Sequence, residues 1–304
     1  DGWSRVSLTT ELYRYYETLL AGEAVIPVAT DWTYRDFVKL ENETIADPEA
    51  EIFFKETLDA VPTRQLIISA INLETESKQE HYIVDSFKQY SKGLIQLAKQ
   101  LGVPLQSLLL AGHFKVLSLM SGEESASSAV TVNGRPEQEG AEQSLGLYLN
   151  SLPLAASLAP CSWKELIEKV YDIYRKGMAY RRYPLSVIQQ SLGQDYGEVS
   201  FNYTHFHALD SVKESVEEQG VEVLGGSGYE QTNFDLVVDF SRYTDTNSIG
   251  LSLTFDLANY EREYIESIGE LYVRVYQSLL ADLAASHQSR SLLPEYEVRY
   301  LTEV

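Results

Sequence analysis

The stretch VNGRPEQEGAEQSLGLYLNSLPL, Val132–Leu154, decides how the rest of the chain is organised. It begins at the end of an apolar, β-branched run, SSAVTV, which reads as a strand. Gly134 and Pro136 then break the pattern, and the Glu- and Gln-rich segment that follows reads as a loop. Two polar side chains in the stretch carry chemical possibilities. Arg135 either pairs with a carboxylate from another part of the chain or stands in water as a loop arginine. Asn150 offers an amide that can donate to a developing oxyanion or hold a substrate carbonyl. It can equally stabilise a turn ahead of Ser151.

On the N-terminal side, three helices are expected. The first runs from about Trp3 to Leu20, with Val6, Leu12, Tyr13, Tyr16, Leu19 and Leu20 near helical spacing and Gly22 at its end. The second follows Asp31, a good cap. The third opens at Asp47 with Pro48 in its first turn and closes near Pro62. The pattern then changes to strands at RQLIISAINLE and HYIVD, followed by a helix over SFKQYSKGLIQLAKQLG. PLQSLLLAGHFKVLSLMSG is apolar on most sides and predicts a deeply buried helix.

On the C-terminal side, Ser162 and Glu165 have capping-box spacing at the start of a helix that stops before Pro184. Strands are expected at GEVSFNYTHF, GVEVL, NFDLVVDFS and SIGLSLTFD, and a long helix from Tyr260 follows them. Helices and strands alternate with long connections, which favours an α/β layer structure built on a mixed sheet over a pure barrel. The segment from Leu292 reads as an exit towards a downstream domain.

Composition narrows the partners. Of 304 residues, 44% are hydrophobic and 23% charged, the balance of a globular chain with a real core. Lys+Arg number 24 against 45 Asp+Glu, a formal charge of −21 that repels a phosphate backbone and an anionic membrane surface alike. No run of 18 or more apolar residues is present. Cys161 is the single cysteine, so no intrachain disulfide forms, and a reducing, cytoplasmic compartment is the natural expectation.

Familiar catalytic signatures are missing: there is no GxSxG, P-loop, HExxH or CxxC. Cys161 precedes a helix start but has no evident histidine partner. His205 and His207 share one face of a strand without further metal ligands, and no metal site is expected. His113 reads as a hydrogen-bonded core residue.

Three stretches occur in a fixed order: DGWS at Asp1–Ser4, the Val132–Leu154 run, and NFDLVVDF followed by LTFDLANYERE. Together they resemble the condensation domain of nonribosomal peptide synthetases. Asp1, Gly2 and Ser4 match the tail of that family's HHxxxDGxS motif. Gly134, Arg135 and Pro136 match its GRP loop. Gly146, Tyr148, Asn150, Leu152, Pro153 and Leu154 match its glycine-aromatic-Asn-x-Leu-Pro-Leu run. FFKETLDAVP, LLLAGHFKVLSLMSG and Tyr183–Pro184 also sit where the family has similar text, so the resemblance covers essentially the whole chain. Two departures stand out. Ala155 replaces a frequent arginine, and RRYPLSVI lacks the His-Gln pair common before the proline.

The resemblance implies a chloramphenicol-acetyltransferase-like fold of two lobes with a tunnel between them. Residues 1–62 would be the remnant of an incomplete N-terminal lobe with the lobe-linking helices, and 63–304 the C-terminal lobe. It implies amide formation between a donor acyl or peptidyl thioester and an acceptor amine. Both would arrive on phosphopantetheine arms of upstream and downstream peptidyl carrier proteins, with an adenylation domain adjacent and no cofactor bound by the chain itself. The motif's two histidines would lie just ahead of Asp1, so the fragment alone is expected to be inactive. By resemblance, Asp1 would pair with an arginine of the upstream lobe; a helix cap is the local alternative, and both can hold. Gly2 would allow close backbone approach or serve as a simple turn. Ser4 would cap the first helix or face the tunnel. Asn150 is the expected catalytic amide, with Ser4, Asn133, Arg135, Ser151 and Tyr203 expected along the tunnel or the lobe contact. Two relatives fit less well: a heterocyclization domain, whose DxxxxDxxS tail Asp1 and Ser4 also match, and a noncatalytic recruitment domain of the same fold.

Overall fold

The computed structural model describes residues 1–26, 31–59, 61–66, 77–205, 232–243, 246–288 and 292. Three helices come first: α1 (Gly2–Leu20), α2 (Thr33–Ile45) and α3 (Pro48–Thr57). There follow β1 (Gln79–Ile83), α4 (Ser91–Leu101), α5 (Leu105–Ser121), β2 (Ser125–Asn133) and β3 (Leu149–Ser157). Then come α6 (Trp163–Gly177), α7 (Leu185–Leu192), β4 (Val199–Thr204), β5 (Leu236–Tyr243), β6 (Ser248–Asp256) and α8 (Arg262–Ala281).

Local chemistry sets most of these boundaries. Asp47 caps α3 by accepting from Glu49 N at 3.0 Å, with Pro48 in the first turn, where its missing N–H costs nothing. Ser162 and Glu165 form the reciprocal capping box of α6. Gly102 ends α4 in the left-handed conformation, φ 66°, where a side chain would be strained. Some boundaries differ from the sequence reading. Asp85–Tyr90 is a 3-10 turn that leads into α4 rather than its first part. Asp31 sits just outside α2, accepting from Thr33 N at 2.9 Å. α8 starts at Arg262, after Tyr260 has entered the core. The strand expected at GVEVL and most of that at RQLIISAINLE lie outside the described residues, as does the segment beyond Leu292.

The six strands form one mixed sheet in the order β1-β6-β5-β4-β2-β3. β4 runs parallel to β2 and β5, and the other neighbouring pairs are antiparallel. β3, which holds Pro153 in its middle, was not among the expected strands. It is an edge strand, and a proline that cannot donate to the ladder is tolerated at an edge.

Strand alternation gives the sheet two unlike faces. Val130, Phe201, Val238 and Leu253 are cross-strand neighbours on one face, and all four are fully buried. Helices cover that side: Phe201 meets His113 of α5, and Phe240 meets Tyr272 and Tyr276 of α8. The alternate positions are mostly polar, with Ser200, Asn202, Asp239, Ser252, Thr254 and His81 beside the apolar Val237 and Ile83.

α5 is buried on almost every side, as its composition predicts. His113 Nδ1 lies 2.6 Å from Tyr272 Oη, and burial pulls its pKa down to about 3, so the ring is neutral. The apolar positions of α1 behave differently. Val6 is buried, while Leu12, Tyr16, Leu19 and Leu20 are exposed.

The segment just after residue 62 is tied to the sheet through Gln65 and Leu66. Glu198, at the start of β4, accepts from Gln65 N at 2.5 Å and Leu66 N at 3.2 Å. The Gln65 amide exchanges two bonds with the Ser127 backbone, at 2.7 and 2.9 Å. Burial raises the Glu198 carboxyl above its ordinary range.

Gly112 of α5 faces Tyr276, whose hydroxyl donates to the Leu109 carbonyl; a Cβ there would run into the ring. Phe87 and Phe240 wall the ring in. Overpacking of about 1–3 kcal/mol then exceeds a helix-propensity gain of about 1 kcal/mol. Gly112→Ala is expected to lower the urea midpoint; an unchanged or higher midpoint would show that the ring retreats.

Candidate active site

The site starts from a helix end. The first N–H groups of a helix have no intrahelical acceptor, and Asp1 Oδ1 accepts from Ser4 N at 2.7 Å, capping α1. The same carboxylate receives Arg135 Nη2 at 2.9 and 3.0 Å, and Oδ2 also accepts from Tyr148 N at 3.3 Å. The two side chains are 1% and 6% exposed, so this is a buried ion pair.

Within this chain the partner of Asp1 is Arg135, from the Gly-Arg-Pro loop after β2. Arg135 makes several further contacts through Nη1, its ring-facing plane and its backbone. Its Nη1 donates to the Ala141 and Ser144 carbonyls at 2.6 and 2.7 Å, and its guanidinium lies 4.0 Å over the Tyr148 ring. Its backbone N–H donates to Asn133 Oδ1 at 2.9 Å.

Ser4 has neither of its expected roles as a simple cap or an open tunnel residue. Asp1 does the capping. The Ser4 hydroxyl donates to the Gly146 carbonyl at 2.7 Å and accepts from Gly146 N at 3.0 Å and Arg135 Nη2 at 3.1 Å. Gly146 is required because a Cβ would strike the Tyr34 ring of α2 and the Tyr148 ring. Tyr34, Phe37 and Tyr148 pack edge-on or tilted, fixing α2 against the loop.

Asn150 corrects the expectation of a catalytic amide. Its Nδ2 donates to the Arg181 and Tyr183 carbonyls at 3.0 and 2.7 Å, and its Oδ1 accepts from Leu185 N at 3.4 Å. Both amide protons are engaged, so none is left for an oxyanion. Its role is to fasten the Arg-Arg-Tyr-Pro turn to β3.

The two arginines of that turn, where the chain lacks the family's His-Gln pair, clamp the loop. Arg182 Nε donates to the Gly134 carbonyl at 2.7 Å, and its Nη2 to the Arg135 carbonyl at 3.0 Å and Glu137 at 2.8 Å. Arg181 pairs with the other Glu137 oxygen. The sequence reading missed this clamp, although the departure at RRYP was its visible signal.

A cavity of about 620 Å³ opens beside Asp1 and Gly2. Thr131, Asn133, Asn202 and Tyr203 contribute to its wall, so the expected Asn133 and Tyr203 do meet Asp1 and Gly2 there. Ser4, Arg135, Asn150 and Ser151 are not in its lining. Ser151 is the cross-strand neighbour of Thr131. Val132 opposes Asn150, one residue out of step, which places Asn150 on the other face.

Burial raises the pKa of the Tyr203 hydroxyl, and an opposing Arg242 only partly offsets it, so Tyr203 stays a donor. Tyr174, also in the wall, is raised by burial too. His205 lines the cavity; His207 lies outside the described residues. Among the described residues no group of three His, Cys, Asp or Glu side chains converges as a metal site.

A mixed sheet flanked by helices makes this an α/β fold, with a buried Asp–Arg pair beside a cavity at its strand ends. The chain belongs to the condensation-domain family, whose sequence profile matches residues 1–302. It is 30% identical over 288 residues to the AMB antimetabolite synthetase AmbE of Pseudomonas aeruginosa, a match covering 93% of this chain and 13% of that protein. It is 26% identical over 277 residues to tyrocidine synthase 3 of Brevibacillus parabrevis, covering 88% of this chain and 4% of that one. The chain thus spans a small part of the length of these relatives.

Among solved structures, it superposes on a holo four-domain nonribosomal peptide synthetase bound to AMP and glycine with a TM-score of 0.74. The identity is 17%, and the match covers 98% of this chain and 24% of that one. The first condensation domain of the calcium-dependent antibiotic synthetase, in complex with a substrate analogue, gives 0.70 at 20% identity, over 97% and 65% of the two chains.

Removing one partner of a buried ion pair typically costs about 3–5 kcal/mol. Arg135→Met is expected to lower unfolding stability by that order, with equilibrium denaturation as the readout. Asn150→Ala leaves two carbonyls and an N–H without their partner and is expected to cost about 1–3 kcal/mol. A variant as stable as the parent would show that water replaces the amide.

Proposed function

We propose that this chain forms much of the passage in which a carrier-bound acyl or peptidyl thioester meets a carrier-bound amine. The amine nitrogen attacks the thioester carbonyl, the C–N bond forms, and the C–S bond breaks. The thiol leaves on the donor's phosphopantetheine arm, and the nitrogen's proton goes to a base or to the departing sulfur. The observation that carries the reading is the cavity of about 620 Å³ with Asp1 and Gly2 in its wall, next to a polar sheet face.

This chemistry asks mainly for alignment. An α-amine has a pKa of about 7.7–8, so a usable fraction is neutral near pH 7. Holding amine and thioester in attack geometry is worth about 7–11 kcal/mol. A general base adds roughly 10²–10⁴-fold, or about 3–5 kcal/mol. Positioning is therefore the larger contribution.

Asp1 takes no proton in this scheme: its carboxylate is engaged by Ser4 N, Tyr148 N and Arg135. It fixes the backbone of the DG turn, and Gly2 leaves that backbone approachable. In the family motif HHxxxDG the second histidine stands four positions ahead of the aspartate, and a histidine at that place ahead of Asp1 would handle the proton. Tethered partners suit a chain of net charge −21, since a linked carrier reaches millimolar effective concentration without long-range attraction. An adenylation domain is the expected source of loaded acceptor.

The test is amide formation between a donor-loaded and an acceptor-loaded carrier, followed by intact-protein mass. A synthetase segment carrying the whole HHxxxDG motif together with this chain is expected to form product, and residues 1–304 alone to form none. Full turnover by 1–304 alone would refute the assignment of the base. A noncatalytic recruitment domain would bind carriers and give no product in either form.

A further inference from the structure

The wall of the 620 Å³ cavity has a charge balance unlike that of the chain around it. Acidic residues outnumber basic ones 45 to 24 overall, yet the charged side chains in this wall are Asp1 and Arg5. Asp1 is already matched by Arg135. Arg5 stands near the start of α1, exposed, and makes no ion pair among the described residues. The uncompensated side-chain charge in the wall is therefore positive.

Two side-chain amides of the same wall are fixed in one sense. Asn133 Oδ1 accepts from Arg135 N at 2.9 Å, and Gln106 Oε1 accepts from Tyr174 Oη at 3.1 Å. Burial raises the pKa of the Tyr174 hydroxyl, so it keeps the proton it donates. With both oxygens engaged by the protein, what each amide offers a ligand is N–H. Asn202 is turned the other way, its Nδ2 donating to Asp239 at 2.7 Å. It lies where a second cavity, about 190 Å³, adjoins the first and shares Thr131, Leu149 and Asn202 with it. Arg5, Gln106 and Asn133 do not line that recess.

We infer that this part of the passage receives an anionic group, a carboxylate or a phosphate, with Arg5 as its counter-charge and the Gln106 and Asn133 amides as donors. A guanidinium beside neutral N–H groups selects an anionic oxygen over a neutral one. The chain's net charge of −21 opposes an anion at long range, but physiological salt screens that field over about 8 Å. A group delivered on a tethered arm does not need long-range attraction. The adjacent guanidinium then sets the local preference. The inference rests on the condensation reading.

The anion has two sources in this reaction: an acidic side chain on the carried group, or the phosphate of the carrier arm. The synthetase segment carrying the whole HHxxxDG motif with this chain is given glutamyl and glutaminyl groups, loaded in turn on the acceptor and the donor carrier. These groups match in shape and differ in charge. It is then given acyl groups on free phosphopantetheine and on free pantetheine, which differ only in the phosphate. In one of the two comparisons the charged member is expected to be preferred by about tenfold or more in kcat/KM. Glutamyl over glutaminyl assigns the site to a substrate side chain; phosphopantetheine over pantetheine assigns it to the arm. Arg5→Gln, a change between good helix formers at an exposed position, is expected to reduce that preference about tenfold. Arg5→Lys is expected to keep part of it, and Gln106→Leu to weaken it less than Arg5→Gln does.

Equal use of both members, or preference for the neutral one, in both comparisons would overturn the inference and leave the condensation reading intact. So would an Arg5→Gln loss equal for the charged and neutral members. No amide from any pair with the wild-type segment would remove the condensation reading and this inference together.

Discussion

The buried contact between Asp1 and Arg135 is the point through which the two ends of the site are held together. One carboxylate caps α1, receives a guanidinium from the loop after β2, and accepts the Tyr148 backbone N–H. Each of these bonds alone is modest. Buried together, they become interdependent, because a charge removed from water must keep all its donors. The position of the DG turn beside the cavity then follows from the position of the loop.

The loop is fixed in turn by the Arg-Arg-Tyr-Pro turn. Arg182 takes the carbonyls of Gly134 and Arg135, while Asn150 takes those of Arg181 and Tyr183. A continuous set of hydrogen bonds therefore links β3, the turn before α7, the Gly-Arg-Pro loop and the start of α1. The residues most visible as motifs act on backbone, and the cavity wall is made by side chains from the sheet.

The sheet divides labour between its faces. One carries Val130, Phe201, Val238 and Leu253 into a core closed by α5 and α8; the other presents Thr131, Asn202, Asp239 and Thr254 to two adjoining cavities. The same period-two alternation gives stability and chemistry at once. Substitutions on the polar face can change what is bound without disturbing the core beneath.

Much of this was legible in the sequence, and the limits have physical causes. Capping residues Asp47 and Ser162, the buried character of Leu105–Ser121 and the strand ahead of Gly134 are local properties, set by backbone chemistry and hydrophobic period. The strand through Pro153 was not legible, because proline argues against a ladder until the strand is known to be at an edge. Asp1, Gly2 and Arg135 could be singled out as motif residues, but the pairing of Asp1 with Arg135 joins residues 134 positions apart. Asn150 shows the limit most clearly: its amide was a candidate donor to substrate until the fold brought two carbonyls to it. The sequence by itself determined every helix but α7, most strands and the α/β class, since these depend on near neighbours. Only the tertiary structure decided which polar groups face a cavity and which are satisfied by distant backbone, because that depends on what the fold places within hydrogen-bonding reach.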